Sequence, residues 1–183
     1  MCTGGLIHII SSVLEIPKSI PRLAQEAQLK VFVALLERGG FLATSNSAHI
    51  QSLLSTPDTI TFLPNSIGAM DAFNNFSASN PTRAQLNSLF DYHFVAGVKG
   101  YSSKLFDGQK LRTVQGKNLT VTRRGNDTFI NGAKITTLDL LAENGVVHVI
   151  DGYVFSYDME TKLTKEHQLV GPFKHHHASP SIK

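Results

Sequence analysis

The sequence predicts an α+β fold, on three observations. Helix-type spacing of apolar residues dominates the first half of the chain, and short β-type runs separated by turn pairs dominate the second. The two kinds are not interleaved, as strand–helix–strand units would be. No GxGxxG and no Walker loop follows a strand, so a nucleotide-binding α/β fold is not indicated. With 183 residues, 42% of them hydrophobic, the chain can build one sizeable core; a domain of about 150 residues buries roughly 70% of its unfolded surface.

Taken in order, residues 6–14 are rich in Leu, Ile and Val and predict a strand. Residues 15–21, with Pro17 and Pro21, predict a linker. Leu29, Phe32, Val33 and Leu36 then recur at i, i+3, i+4 and i+7, which predicts one amphipathic helix beginning at Arg22 and stopped by Gly39 and Gly40. A shorter helix is expected over residues 47–54. "TITFLPNS" at 59–66 is a β-rich run ended by Pro64, after which Asn65 or Ser66 caps a helix through Met70 and Phe73. Gly68 lies inside that helix and weakens it by about 1 kcal/mol relative to Ala. Pro81 and Thr82 open a further helix with Leu86, Leu89 and Phe90 on one side, leading to a strand at 92–96.

Short strands follow in "KLRTVQG", "NLTVTRR", "DTFI" and "AKITTL", with Gly125–Asn126 and Asn131–Gly132 as hairpin turn pairs. "VVHVID" closes the series as a buried strand with Val146, His148 and Ile150 on one face and Val147 and Val149 on the other. Residues 157–183 read as a polar tail.

Composition excludes several function classes. The net charge of +3 is spread thinly, its densest clusters being "TRRGN" and "FKHHH", which read as solvated turn and tail. No basic stripe marks a nucleic-acid partner. Cys2 stands alone, so no intrachain disulfide and no CxxC zinc site can form. No apolar run approaches ~18 residues, so no transmembrane helix is expected. The start has no basic residue before its apolar run, unlike a signal peptide. No serine-nucleophile elbow, HExxH or calcium loop appears, and His175–His177 read as solvated tail.

The order "TFLPNS", "YHFVAG", "NGAKI", "NGVVHVID" resembles the fasciclin domain family of adhesion proteins, whose members include periostin-like matrix proteins of animals, arabinogalactan-type proteins of plants, and surface proteins of fungi and bacteria. The residues that carry the resemblance are Thr61, Phe62, Pro64 and Asn65 in the first motif, Tyr92 and His93 in the middle, and Asn144, Gly145, His148, Ile150 and Asp151 in the closing motif. The "PNS" and "CTGGLIH" wordings are closest to fungal members. The resemblance implies a β-wedge: twisted antiparallel strands flanked by helices, with the first and last motif strands close together.

It also implies a secreted or cell-surface adhesion module, or alternatively a vacuolar one, that is not an enzyme and uses no cofactor. Its partner would be a protein or glycan at a cell surface or matrix, or another copy of itself. Asp139 and Leu140, with Tyr92 and His93, match positions implicated in adhesion in animal members; as plain structure, Asp139 would be a turn residue, Leu140 and Leu141 core, and Tyr92 a packed aromatic. The alternative function is a carrier of a lipid or carotenoid in an apolar crevice at the Phe32 and Leu36 face. His148, on an apolar strand, is expected to bond to His93 or Asp151; the histidine pair alone suggests no third ligand for a metal. Sequons at Asn75, Asn118 and Asn126 are candidate glycan acceptors.

Finally, "GGLIHIISS" around His8 repeats the pattern of "NGVVHVIDG" around His148, with Ser11 where the later copy has Asp151. Residues 1–20 are therefore expected to be the closing strand and linker of a preceding fasciclin domain, residues 21–156 a complete one, and residues 157–183 the tail.

Overall fold

Strict alternation along two strands places the core on both sides of one sheet. In the computed structural model, which describes residues 16–38, 48–65 and 82–154 with positions 9, 11 and 70, β1 (Thr59–Pro64) and β7 (Gly145–Ile150) are buried along almost their whole length. Leu63, Val147 and Val149 face a cluster with the helices, and Ile60, Phe62 and Ile150 face a second cluster enclosed by the sheet.

The described helices are α1 (Ile20–Glu26), α2 (Lys30–Arg38), α3 (Ala48–Ser55) and α4 (Arg83–Asp91). The remaining strands are β2 (Phe94–Val95), β3 (Lys110–Arg112), β4 (Asn118–Arg124), β5 (Asp127–Ile130) and β6 (Ala133–Ala142). They form a seven-stranded sheet in the order β2-β1-β7-β6-β5-β4-β3. The pairing is antiparallel except between β1 and β7, which run parallel. The two motif strands are therefore neighbours, as the resemblance implied. The N–H of Val114 donates to the Phe94 carbonyl at 2.8 Å, tying the chain beyond β3 to β2, so the sheet curls nearly into a barrel.

Where the expected single helix begins, the structure has two. Gln28 takes φ +55°, the Leu29 N–H donates to the Ala24 carbonyl (2.8 Å) and the Gln28 N–H to the Gln25 carbonyl (3.0 Å). This is a Schellman stop with Gln where Gly is usual, and it lets Ile20, Ala24, Leu29 and Phe32 all enter one cluster. Gln favours helix interiors, so nothing local signals the break.

The expected linker is also part of the body. Pro21 opens α1, Ile20 is buried, and Lys18 bridges to Ala142, its carbonyl accepting from the Glu143 N–H at 3.0 Å. Thr82 caps α4 in a reciprocal box with Gln85. The strand expected at 92–96 shrinks to Phe94–Val95, because Tyr92 and His93 still turn off the end of α4.

Both turn pairs are where the sequence puts them. Asn131 and Gly132 have φ of +48° and +92°, as a two-residue type I′ turn demands. Several expectations lie outside the described residues: the strand around His8 apart from the exposed Ile9 and Ser11, Cys2, the Gly39–Gly40 stop, the helix through Gly68 and Phe73 apart from Met70, Asn75, and the tail with its histidines.

Candidate functional site

β1 and β7 pair in register from Thr59–Gly145 to Pro64–Ile150, which puts His148 opposite Phe62. The two rings stack at 5.7 Å. His148 is fully buried, and a buried imidazole nitrogen without a partner costs about 1–3 kcal/mol. Its Nε2 donates to the Gly100 carbonyl (2.8 Å) and its Nδ1 accepts the Asp139 N–H (3.3 Å). An amide N–H can only donate, so the ring is the neutral Nε2–H tautomer. Burial pushes its pKa down, against the opposing pull of the Gly100 carbonyl and the Asp139 carboxylate.

Neither partner expected for His148 is the one found. His93 is buried with Nδ1 on the Leu89 carbonyl (2.8 Å) and its ring edge-on to Tyr153. Asp151 is exposed and accepts from the Lys134 N–H (2.7 Å), extending the β6–β7 ladder. Sequence proximity to a motif did not reveal which loop would close over the imidazole.

That loop is held from two sides. β6 carries extra residues relative to β7, between Ile135 and Thr137 and between Thr137 and Leu140. Within this bulge Asp139 takes φ +58°, a conformation Asp reaches more easily than most residues. Its carboxylate accepts from the Ser102 N–H (2.7 Å) and from the Ser102 hydroxyl. The bulge turns Leu140 partly inward against the helix-side cluster. Leu141, expected in the core, instead stands 52% exposed, with Leu138 at 44% and Tyr101 at 40%. Beside this surface, Asp58, Val98, Lys99, Tyr101, Gly145 and Val146 line a shallow pocket of about 190 Å³.

Ser102, Asp139 and His148 are joined in a chain, but not as a nucleophile and base. The serine hydroxyl donates to the carboxylate, while His148 meets the Asp139 backbone. Nucleophilic activation needs the imidazole on the hydroxyl itself. The described residues hold no group of three metal-binding side chains.

The other motif residues brace the same centre. Pro64 ends the β1–β7 pairing opposite Ile150, and the Asn65 N–H donates to the Ile150 carbonyl (2.7 Å). Asn144 is buried and donates from Nδ2 to the Leu53 carbonyl (3.3 Å), fastening the β6–β7 turn to α3. A Cβ at Gly145 would collide with the Thr59 backbone. Thr61 is buried with its hydroxyl unbonded among the described residues. Tyr92 is buried too, its hydroxyl accepting from Asn131 Nδ2 (3.0 Å). Tyr92 and His93 therefore offer no surface to a partner of the folded domain. Phe32, expected to line a crevice, is packed edge-on against Phe90 in the helix-side cluster; the Leu36 side chain lies outside the described residues. Asn118 and Asn126 are exposed, at the start of β4 and in the β4–β5 turn.

Sequence reasoning missed Gly100 and Ser102. They are 48 and 37 positions from their partners, and a Cβ at Gly100 would collide with the Ile60 side chain. Only a glycine two positions before a short hydroxyl residue hinted at them.

The fasciclin domain family model matches residues 27–155. The chain belongs to the fasciclin family. A fasciclin-like arabinogalactan protein of Arthroderma benhamiae is 32% identical over 150 residues, covering 80% of this chain and 32% of that protein. Another, from Cercospora beticola, is 32% identical over 152 residues, covering 81% of this chain and 37% of that one. Human periostin is 26% identical over 166 residues, covering 85% of this chain and 18% of its own length. The chain thus spans about a third of the length of the two fungal fasciclin relatives and less of periostin. Among solved structures, a FAS1 domain pair from the insect cell adhesion molecule fasciclin I shares the fold, at a TM-score of 0.54 and 18% identity over 72% of this chain and 46% of that one.

Proposed function

We propose that this fasciclin chain is a non-catalytic adhesion or interaction module working outside the cell or at its surface, with the β6 bulge as its contact surface. The bulge carries the proposal. Leu138, Leu141 and Tyr101 stand in solvent around an aspartate whose conformation is clamped by Ser102, and exposed apolar side chains grouped within a polar rim suit a protein partner. The contact residues are then Asp139 and Leu140 with these three neighbours, and not Tyr92 or His93. The insect molecule of the same fold being a cell adhesion protein supports this reading, and the closing-strand pattern at residues 4–14 supports a tandem arrangement.

The test is attachment. Beads coated with the full chain are expected to adhere to the surface of the source cells or to each other. Leu138→Thr with Leu141→Thr should abolish adhesion while leaving the melting temperature almost unchanged, since both side chains are outside the core. Adhesion that survives this double substitution removes the bulge from the reading.

A further inference from the structure

The register of β3 to β6 gathers charges that the sequence scatters. Residues 99–134 hold eight Lys and Arg against two Asp, while the whole chain nets only +3. Lys110 and Arg112 pair with Thr120 and Asn118, Arg124 with Asp127, and Thr122 with Phe129, which pairs onward with Lys134. Leu111, Leu119, Val121, Thr128 and Ile130 point into the barrel core, so their neighbours in the alternation share the outer face. Arg123 is not among them, because its guanidinium donates to the Leu105 carbonyl.

Among the described residues of β3 to β6, the acid whose place in the alternation is on that face is Asp127, and it already pairs with Lys134 at 2.8 Å. Lys110, Arg112 and Arg124 pair with no carboxylate among the described residues. Strands ~4.8 Å apart with two-residue steps of ~6.8 Å set successive cations about 7–14 Å apart, along a face roughly 20 Å long. Asn118, Thr120 and Thr122 lie between them and offer hydrogen bonds.

We infer that this outer face binds a linear anionic polysaccharide. Charge complementarity names the sign of the partner, and the interleaved hydroxyls and amide suit a chain that carries many hydroxyls of its own. Single-stranded nucleic acid fits less well, since it needs free aromatic rings to stack on. The ring here, Phe129, is already covered by Arg124 at 5.2 Å. The face is separate from the β6 bulge, so the two readings stand or fall independently.

The experiment uses the full chain made in bacteria, because a glycan on Asn118 would cover the face. Heparin is the probe, with a sulfonate exchanger of equal charge density as the comparison. The chain should elute from heparin at higher salt than from the sulfonate. Lys110→Gln with Arg124→Gln should weaken heparin binding at least tenfold and lower the salt slope by roughly one per cation removed. Arg22→Gln with Lys30→Gln, an equal charge change on the helical side, should alter it less than twofold. Equal losses in the two doubles, or elution no later than from the sulfonate, would overturn the inference. So would equally tight binding of a single-stranded oligonucleotide, which would assign the face to nucleic acid.

Discussion

Mild acid should loosen this domain through its buried imidazoles. Burial drives the pKa of His93 down to about 4, only partly opposed by its bond to the Leu89 carbonyl. In the unfolded chain the same group titrates near 6.5. The unfolded state therefore takes up a proton between those values while the folded state refuses it. Stability is fully present above pH 6.5 and is lost as pH falls toward 4. Linkage gives about 2 kcal/mol lost from His93 between pH 7.5 and pH 5. His148, also shifted down, adds in the same direction, since a proton on its Nδ1 would face the Asp139 N–H.

Against a total of roughly 5–15 kcal/mol this is a large share. Urea unfolding followed by far-UV circular dichroism is the assay. With a slope of about 2 kcal/mol per molar, the midpoint should fall by about 1 M over that range. His93→Gln should start less stable at pH 7.5 but lose about 2 kcal/mol less on acidification. A midpoint independent of pH between 7.5 and 5, or an unchanged pH dependence in His93→Gln, would refute the reasoning.

Three further outcomes follow from the geometry. Asp139→Ala removes the Ser102 clamp and leaves an unfavourable left-handed alanine, and should cost about 2 kcal/mol in urea unfolding; Asp139→Gly relieves the backbone strain and should cost less. Gly145→Ala forces a methyl into the Thr59 backbone and should cost 3 kcal/mol or more, or give no folded protein on expression, as read by circular dichroism. Gln28→Gly should raise stability by up to about 1 kcal/mol in thermal melts, because glycine takes the left-handed Schellman position without penalty.

The α+β class could be read from residue order, because continuous apolar runs such as "TITFLP" and "VVHVI" mark buried strands, whereas the nearness of the two motif strands was implied by the family resemblance. Asn131–Gly132 could be read too, since few other residue pairs accept that turn. The Gln28 break could not: helix propensity favours Gln, and only the need to bury Leu29 with Ala24 overrides it. Nor could the surface status of Leu141 be read. Two extra residues interrupt β6, and they are set by pairing with β7, which the local pattern does not report.

By itself, then, the sequence determined the family, the strand and helix classes, and the identity of His148 as the buried polar residue of the last strand. Only the tertiary structure decided that His148 bonds to Gly100 and Asp139, that Tyr92 and His93 are interior, and that cations from β3, β4 and β6 share a face. The physical reason is range. Periodicity and turn chemistry act within a few residues, whereas hydrogen-bond partners and surface charge patterns depend on strand register, which is settled only when the whole sheet closes.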